Sequence, residues 1–445
     1  MKFYDRKTEI AELQRIQKLA FSDCSRMTVI TGRRRIGKTS LITKALEAQG
    51  GQQPPVLYFF VSRKSETALC REFAEEASAV LGVLIPSEIK DFGRLFRVLI
   101  EAAVHTPFNL VLDEFQEFES INKSIFSDIQ SHWDQLRKKT KMNLVISGSV
   151  YSLMHKIFRD KKEPLFGRAD NIIELRSFLP STLKEIIKDG NEKYTNDDIL
   201  ALYTFTGGVP KYVELLFDNR VLTVKEMISF MARDNSPFID EGRNLLITEF
   251  GKNYGTYFSI LQAISEGATT QSRIEDAIGD RIISGYLKRL IEDYRLVIKK
   301  RPILAKDTSH TVRFELDDNF LRFWFAYFEK YRALVEIGNF DVLRDIITKS
   351  YTSYSGWMLE RYFKEQLAET KEFTNIGSWW EPKAEQNEID IIAIRKEKNL
   401  ALAVEVKRKQ ENFRISKLEE KVEHLRTKAM PKYHFELKCL TLEDM

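Results

Sequence analysis

Apolar residues follow two rhythms along this chain. In the N-terminal third, short unbroken runs recur at Met27-Thr28-Val29-Ile30, Phe108-Asn109-Leu110-Val111-Leu112 and Asn143-Leu144-Val145-Ile146, each reading as a strand buried on both faces. Helical spacing follows the first of them from Leu41 onward, so strands and helices are expected to alternate. From about Ala201 to Phe230 the spacing is helical throughout, with Tyr203, Leu215 and Leu216 marking core positions around the turn Gly207-Gly208-Val209-Pro210. The cluster Asp234-Asn235-Ser236-Pro237 then reads as a boundary.

Beyond it the pattern predicts three short helices and a hairpin. Tyr257, Ile260, Leu261 and Ile264 mark the first apolar face, Ile274 and Ile278 the second, and Ile283, Tyr286, Leu287 and Leu290 the third. The runs Leu296 to Lys299 and Val312 to Leu316 follow as strands around a loop containing Pro302. That order is the winged helix-turn-helix arrangement, whose third helix can enter a DNA groove. Ser284, Lys288 and Arg289 lie on or beside this helix, and Lys299, Lys300 and Arg301 lead into the wing, where they are placed to meet phosphates. A regulatory clasp with no DNA contact is the competing use of such a domain. An aromatic stripe from Phe320 to Phe328 reads as a packing surface that docks the last domain. Two strands, Glu388 to Ile394 and Leu400 to Lys407, a helix from Lys417 to Lys428 and a strand near Phe435 to Leu440 complete a small α/β core.

Composition narrows the class without deciding it. The chain has 445 residues, too many for one core, and 43% are hydrophobic, yet no run approaches the roughly 18 apolar residues of a bilayer span. No membrane association is expected, and the start, Met1 to Lys7, lacks the apolar core of a signal peptide, which points to the cytoplasm. Three widely spaced cysteines fit a reducing compartment and give no zinc pattern. The net charge of +4 does not announce a nucleic-acid binder, so any DNA contact must be local.

The segment Gly32-Arg33-Arg34-Arg35-Ile36-Gly37-Lys38-Thr39, continued by Ser40, satisfies G-x-x-x-x-G-K-[ST] at a predicted strand-to-helix turn. In that pattern the backbone N–H groups curl around an anion, Lys38 reaches the β- and γ-phosphates of ATP, and Thr39 binds Mg²⁺. Asp113 and Glu114 end the second apolar run, where Asp113 would hold Mg²⁺ and Glu114 would orient and polarise the attacking water. The third run ends at Ser147-Gly148-Ser149, and Ser147 is a candidate sensor of the γ-phosphate.

With Phe3 to Leu13, Gly32 to Thr39, Leu112-Asp113-Glu114 and Gly207 to Pro210 in order, the chain resembles the prokaryotic P-loop ATPases related to the AAA+ and STAND groups. The resemblance implies an ASCE-type doubly wound parallel sheet with a helical lid at residues 1–235, in which the turn at Pro210 approaches the nucleotide. By the same analogy Arg168 is a candidate arginine finger, which leaves assembly into a homo-oligomer open. The winged helix would occupy 236–318 and an aromatic helical linker 319–345. The aromatic segment resembles the start of the C-terminal DUF234-type domain carried by one branch of these ATPases, a domain related to restriction endonucleases, here 346–445.

The last strands supply chemistry for that domain. Because strand side chains alternate, Glu405 and Lys407 share a face, and Asp390 on the neighbouring strand can join them in the PD-(D/E)xK pattern. Asp390 and Glu405 are hard oxygen ligands suited to Mg²⁺ or Mn²⁺, and Lys407 would position water or stabilise negative charge. Glu360 matches an acidic helix position that related nucleases use as an additional ligand. Glu388 stands where the name of the pattern has proline. Three functions are compatible with these residues: an ATP-regulated DNA nuclease, a nucleotide switch or DNA-binding regulator with an inactive terminal domain, and a signalling ATPase that binds protein.

Overall fold

The computed structural model describes all residues except 48–53, 87, 280, 310, 382, 383 and 398. The chain divides into two compact units, Asp5–Arg176 and Ser177–Met445 together with Met1–Tyr4.

The first unit is built on five strands, β1 (Arg26–Thr31), β2 (Val56–Phe60), β3 (Phe108–Asp113), β4 (Met142–Gly148) and β5 (Asn171–Glu174), ordered β2-β3-β4-β1-β5. Each neighbouring pair is parallel. Alternation sends Met27, Val29, Leu110, Leu112, Leu144 and Ile146 to one face, against helices Glu66–Leu81, Phe92–Ala102 and Ile125–Leu136. Ile30, Val111 and Val145 face the other way, against Lys7–Ser22 and Lys38–Leu46. Burial on both faces is why these strands read as continuous apolar runs, and it makes the sheet doubly wound. Full burial of each large side chain, such as Phe59 stacked on Phe73 at 4.2 Å, contributes roughly 1.5–3 kcal/mol.

The second unit opens with helices Pro180–Gly190, Asn196–Thr206, Pro210–Asp218 and Val224–Met231. Thr195 and Thr223 start two of them with capping boxes closed by Asp198 and Glu226. The reading from sequence joined these helices to the phosphate loop in a domain ending at 235. In the structure they share a core with later elements: Phe205 meets Phe323 at 4.7 Å and Tyr212 meets Phe320 at 4.4 Å. The Gly207-Gly208 turn belongs to this packing, since Phe178 N donates to Gly208 O at 2.8 Å and a Cβ on Gly208 would lie 2.4 Å from Phe178 O. The aromatic segment therefore serves the helices before it as well as the long helix Phe340–Glu369 after it, where Tyr327 bonds Ser350 at 2.8 Å.

Between them lie helices Tyr254–Ser265, Gln271–Ala277 and Ser284–Glu292, followed by the antiparallel hairpin of β6 (Val297–Lys300) and β7 (Arg313–Leu316). The C-terminal sheet contains β8 (Phe373–Glu381), β9 (Ala384–Arg395), β10 (Leu400–Val406) and β11 (His434–Leu440), in the order β11-β10-β9-β8. β10 runs parallel to β11 and antiparallel to β9. Helix Ile415–Lys428 covers one face through Leu418, Val422 and Leu425. Among the described residues no helix is long and apolar enough to cross a membrane.

Candidate phosphate-loop and C-terminal acid sites

The phosphate loop joins β1 to the helix Lys38–Leu46, with Gly37 as a left-handed N-cap at φ 87. Buried Ile36 ties the loop to the core while Arg34, Thr39 and Ser40 stay exposed. Lys38 is buried, and its ammonium donates to the carbonyls of Gly32 at 2.9 Å and Arg33 at 3.1 Å. The loop thus already wraps a cation-bearing side chain, as a cradle for phosphate oxygens requires.

Sheet order brings the acids to this loop. Thr39 Oγ1 donates to Asp113 Oδ2 at 3.3 Å, joining the two oxygens assigned to Mg²⁺ from opposite ends of the motif set. Tyr58, one strand further out on β2, donates to the same carboxylate oxygen at 2.5 Å. Burial, with the Asp113 hydrogen bond second, pushes the Tyr58 phenol well above its ordinary range, so it stays a donor. These hydroxyl and carboxylate oxygens are the hard donors that Mg²⁺ takes. Glu114 turns the other way, toward β4, and accepts from Ser149 Oγ at 2.6 Å and Gln116 Nε2 at 2.5 Å. Tyr58 and Gln116 escaped the sequence reading; the signal for Tyr58 was a polar-tipped side chain inside an apolar run, and Gln116, among acids, gave none.

Three other predicted residues have settings of their own. Ser147 is enclosed in β4 with its hydroxyl unpaired among the described residues. Arg168 donates to Phe166 O at 2.8 Å and to Asp134 at 3.1 Å. Pro210 is the first residue of its helix and belongs to the second unit.

In the second unit the strand register assembles the C-terminal acids. The β9–β10 ladder closes at Ile391 with Val404, so Asp390 and Glu405 come next on adjacent strands, and Val406 N donates to Asp390 Oδ2 at 2.7 Å. Lys407 Nζ lies 2.8 Å from Glu405 and 3.5 Å from Asp390, while Lys421 from the covering helix takes the other Glu405 oxygen at 2.6 Å. Burial and then the Glu405 charge push the Asp390 carboxyl up. Burial works against the charge of Lys407, but Asp390 and Glu405 outweigh it and hold its pKa above the ordinary value. Glu360 on the long helix is pushed up to about 8, by burial first and then by Asp390. This crowding of carboxylates fits a cation. Among the described residues, however, no group of three or more His, Cys, Asp or Glu side chains is already arranged to hold a metal.

The basic residues expected on the hairpin are divided. Lys299 and Lys288 are exposed, Lys288 lying 3.8 Å from Glu292, while Lys300 sits 2.6 Å from Glu315 and Arg301 pairs with Asp307 at 3.4 Å. The hairpin loop is docked on the C-terminal sheet instead: Ile303 N donates to Ser378 O at 2.8 Å, and Arg313 pairs with Glu388 at 2.7 Å.

Residues 3–216 match the family described as an ATPase domain predominantly from Archaea. Residues 324–421 match DUF234, described as archaea bacterial proteins of unknown function. The chain is 30% identical over 418 residues to the uncharacterized protein MJECL04 of Methanocaldococcus jannaschii, covering 91% of this chain and 87% of that protein. Among solved structures, the Walker-type ATPase PABY2304 of Pyrococcus abyssi is similar at TM-score 0.49 and 18% identity, over 73% of this chain and 96% of that one. The ORC2 protein of Aeropyrum pernix, solved in ADPNP–ADP complexes, is similar at TM-score 0.49 and 17% identity, over 78% and 96%.

Proposed function

Because the chain belongs to the archaeal ATPase-domain family and itself continues into a DUF234 region, we propose that it hydrolyses ATP and couples its nucleotide state to metal-dependent DNA cleavage. The phosphate loop binds the triphosphate, with Lys38 moving from the Gly32 and Arg33 carbonyls to the β- and γ-phosphates. Thr39 and Asp113 would hold Mg²⁺, which supplies positive charge against the phosphate oxygens. Glu114 orients and polarises the attacking water.

The observation that carries the nuclease half is the convergence of Asp390, Glu405 and Lys407 just beyond the last pair of the β9–β10 ladder, with Val406 N on Asp390 and Lys407 on Glu405. Asp390 and Glu405, with Glu360 beside them, would hold Mg²⁺ or Mn²⁺, which lowers the pKa of a water. Lys407 then steadies negative charge on the cleaved phosphate. DNA is engaged by the winged helix-turn-helix formed by Tyr254–Ser265, Gln271–Ala277, Ser284–Glu292 and the β6–β7 hairpin, through the exposed Lys288 and Lys299. Arg168 acts on the nucleotide of a neighbouring copy only after leaving Asp134 and the Phe166 carbonyl.

A second reading is favoured by one observation: both Glu405 oxygens already accept from lysines. In this reading the terminal domain binds without cutting, and the protein is a nucleotide-dependent switch. Cleavage of plasmid and branched DNA by wild type, Lys38→Ala and Asp390→Ala, with Mg²⁺ or Mn²⁺ and with or without ATP, separates the two. The nuclease reading expects cleavage that disappears in Asp390→Ala, by at least about a hundredfold, and changes in Lys38→Ala. ATP hydrolysis without any cleavage by wild type would leave the switch.

A further inference from the structure

Ser378, on the edge strand β8, is the point where three elements around the C-terminal acids meet. Across the antiparallel β8–β9 pair Gly377 faces Ile392 and Trp379 faces Ile389, so two steps on β8 span three on β9 and the extra residue lies at Asp390-Ile391. A bulge of this kind re-aims the side chains it carries. Here one of them is Asp390, whose carboxylate accepts from Val406 N at 2.7 Å. Ser378 stands opposite the extra residue. Its hydroxyl accepts from Lys364 Nζ at 2.8 Å, and Lys364 lies one turn beyond Glu360 on the long helix. Its carbonyl accepts from Ile303 N at 2.8 Å.

Ile303 comes from outside this sheet. It belongs to the loop of the β6–β7 hairpin, yet its side chain is buried in one core with Trp379, Ile389 and Ile392. Ile389 and Ile392 flank the bulge, so the core that Ile303 joins borders it on both sides while the Ile303 amide holds the strand opposite. β7 adds a second arm: Arg313 pairs with Glu388, two residues before Asp390, at 2.7 Å, and its guanidinium lies over the Trp380 ring at 4.6 Å. Both members of that pair are partly exposed, which makes it the weaker arm. Buried Ile303 is the stronger one.

We propose that Ile303 is a positioning residue for the C-terminal metal site: seated on Ser378, it holds the bulge that turns Asp390 toward Glu405 and Lys407, so the cation affinity of these acids is set from the hairpin. The proposal rests on the metal reading of Asp390 and Glu405. Ile303 has no side-chain donor atom, and its effect travels through Ser378 and the bulge. Coupling of this kind is reciprocal: a cation on the acids tightens the hairpin on β8, and whatever lifts the hairpin weakens the cation. Contact of the hairpin with DNA and metal occupancy are thereby placed under one control.

Calorimetric titration of the full chain with Mn²⁺ tests this on an Asp113→Asn background, which removes the metal-binding acid of the first site, with Ile303→Ala, Ile303→Val, Met227→Ala and Asp390→Ala added singly. Ile303→Ala is expected to weaken Mn²⁺ binding about tenfold, the scale on which loss of a group that orients a ligand acts. Ile303→Val, which keeps most of the packing, retains the affinity within about twofold. Met227→Ala truncates a buried side chain in the helix Val224–Met231 and controls for general loss of stability; it leaves the affinity unchanged. Hydrogen exchange gives a second readout, slowing in the hairpin loop when Mn²⁺ is added and not slowing in the Asp390→Ala variant. Mn²⁺ binding that Asp390→Ala abolishes but Ile303→Ala leaves unchanged or tightens, or that Met227→Ala weakens equally, overturns the proposal. Absence of any Mn²⁺ binding that depends on Asp390 overturns the metal reading of the site and the proposal with it.

Discussion

The two acid sites of this chain are built from the same side chains and compensated in opposite ways. At the phosphate loop, Asp113 and Glu114 accept from neutral groups, namely the Thr39, Tyr58 and Ser149 hydroxyls and the Gln116 amide. The lysine of that site donates to two backbone carbonyls. At the C-terminal site both oxygens of Glu405 are on ammonium groups, and Lys407 also lies near Asp390. Neutral donors orient a carboxylate without cancelling its charge, so the first site keeps its demand for a cation. Ammonium groups cancel much of that charge, and a metal at the second site must compete with them. The first arrangement suits a ligand that brings its own cation, as Mg·ATP does; the second suits conditional occupancy.

The largest expected effect comes from the lysine of the phosphate loop. Lys38→Ala removes the cation from the loop and leaves Asp113 and Glu114 untouched, so ATP affinity or turnover should fall by at least about a hundredfold. Equilibrium binding of a fluorescent ATP analogue, beside a turnover assay, checks it. Full activity in this variant would break the comparison at its first term.

How much of this contrast could be read in the sequence depends on the distance between partners. The phosphate loop was legible because its parts are contiguous between a strand and a helix, and Asp113-Glu114 because a buried strand ending in two acids is rare company for such a loop. Asp390, Glu405 and Lys407 were legible through period-two alternation on two adjoining strands. Tyr58 was not, nor was the bond from Ser149 to Glu114, because only the order β2-β3-β4-β1 decides which strand ends stand side by side. Lys421 was hidden for the same reason, since nothing local says which face of Ile415–Lys428 lies over β10. Apolar spacing likewise marked the helices between about Ala201 and Phe230 as buried without naming their partners. Their cores turned out to be shared with Phe320 and Phe323.

Lys421 offers the next way to sharpen the comparison. Its ammonium is 2.6 Å from Glu405 Oε1 and mostly buried, so Lys421→Met keeps much of the apolar stem and removes the competing charge. Mn²⁺ affinity, read by calorimetry on an Asp113→Asn background that removes the metal-binding acid of the first site, should tighten by roughly tenfold. Unchanged affinity would mean that ammonium compensation does not control metal entry.

The smallest effect concerns protons, the other cation that the crowded carboxylates can take. Glu360 keeps its proton in the folded chain up to about pH 8, with burial as the main cause and Asp390 next. The unfolded chain releases it near about pH 4.3. Between those values the native state binds more protons, so stability must fall as pH rises, and the contribution present at low pH is gone once pH passes the folded value. Glu360→Gln, which keeps the shape and cannot ionise, should therefore flatten the decline of the urea midpoint between about pH 5 and pH 9. Mn²⁺ should restore wild-type stability at the alkaline end, where the released carboxylate needs a new partner, and should do little for the glutamine variant. Parallel pH profiles for the two proteins would show that Glu360 does not feel Asp390, and the second site would then reduce to the pair on β9 and β10.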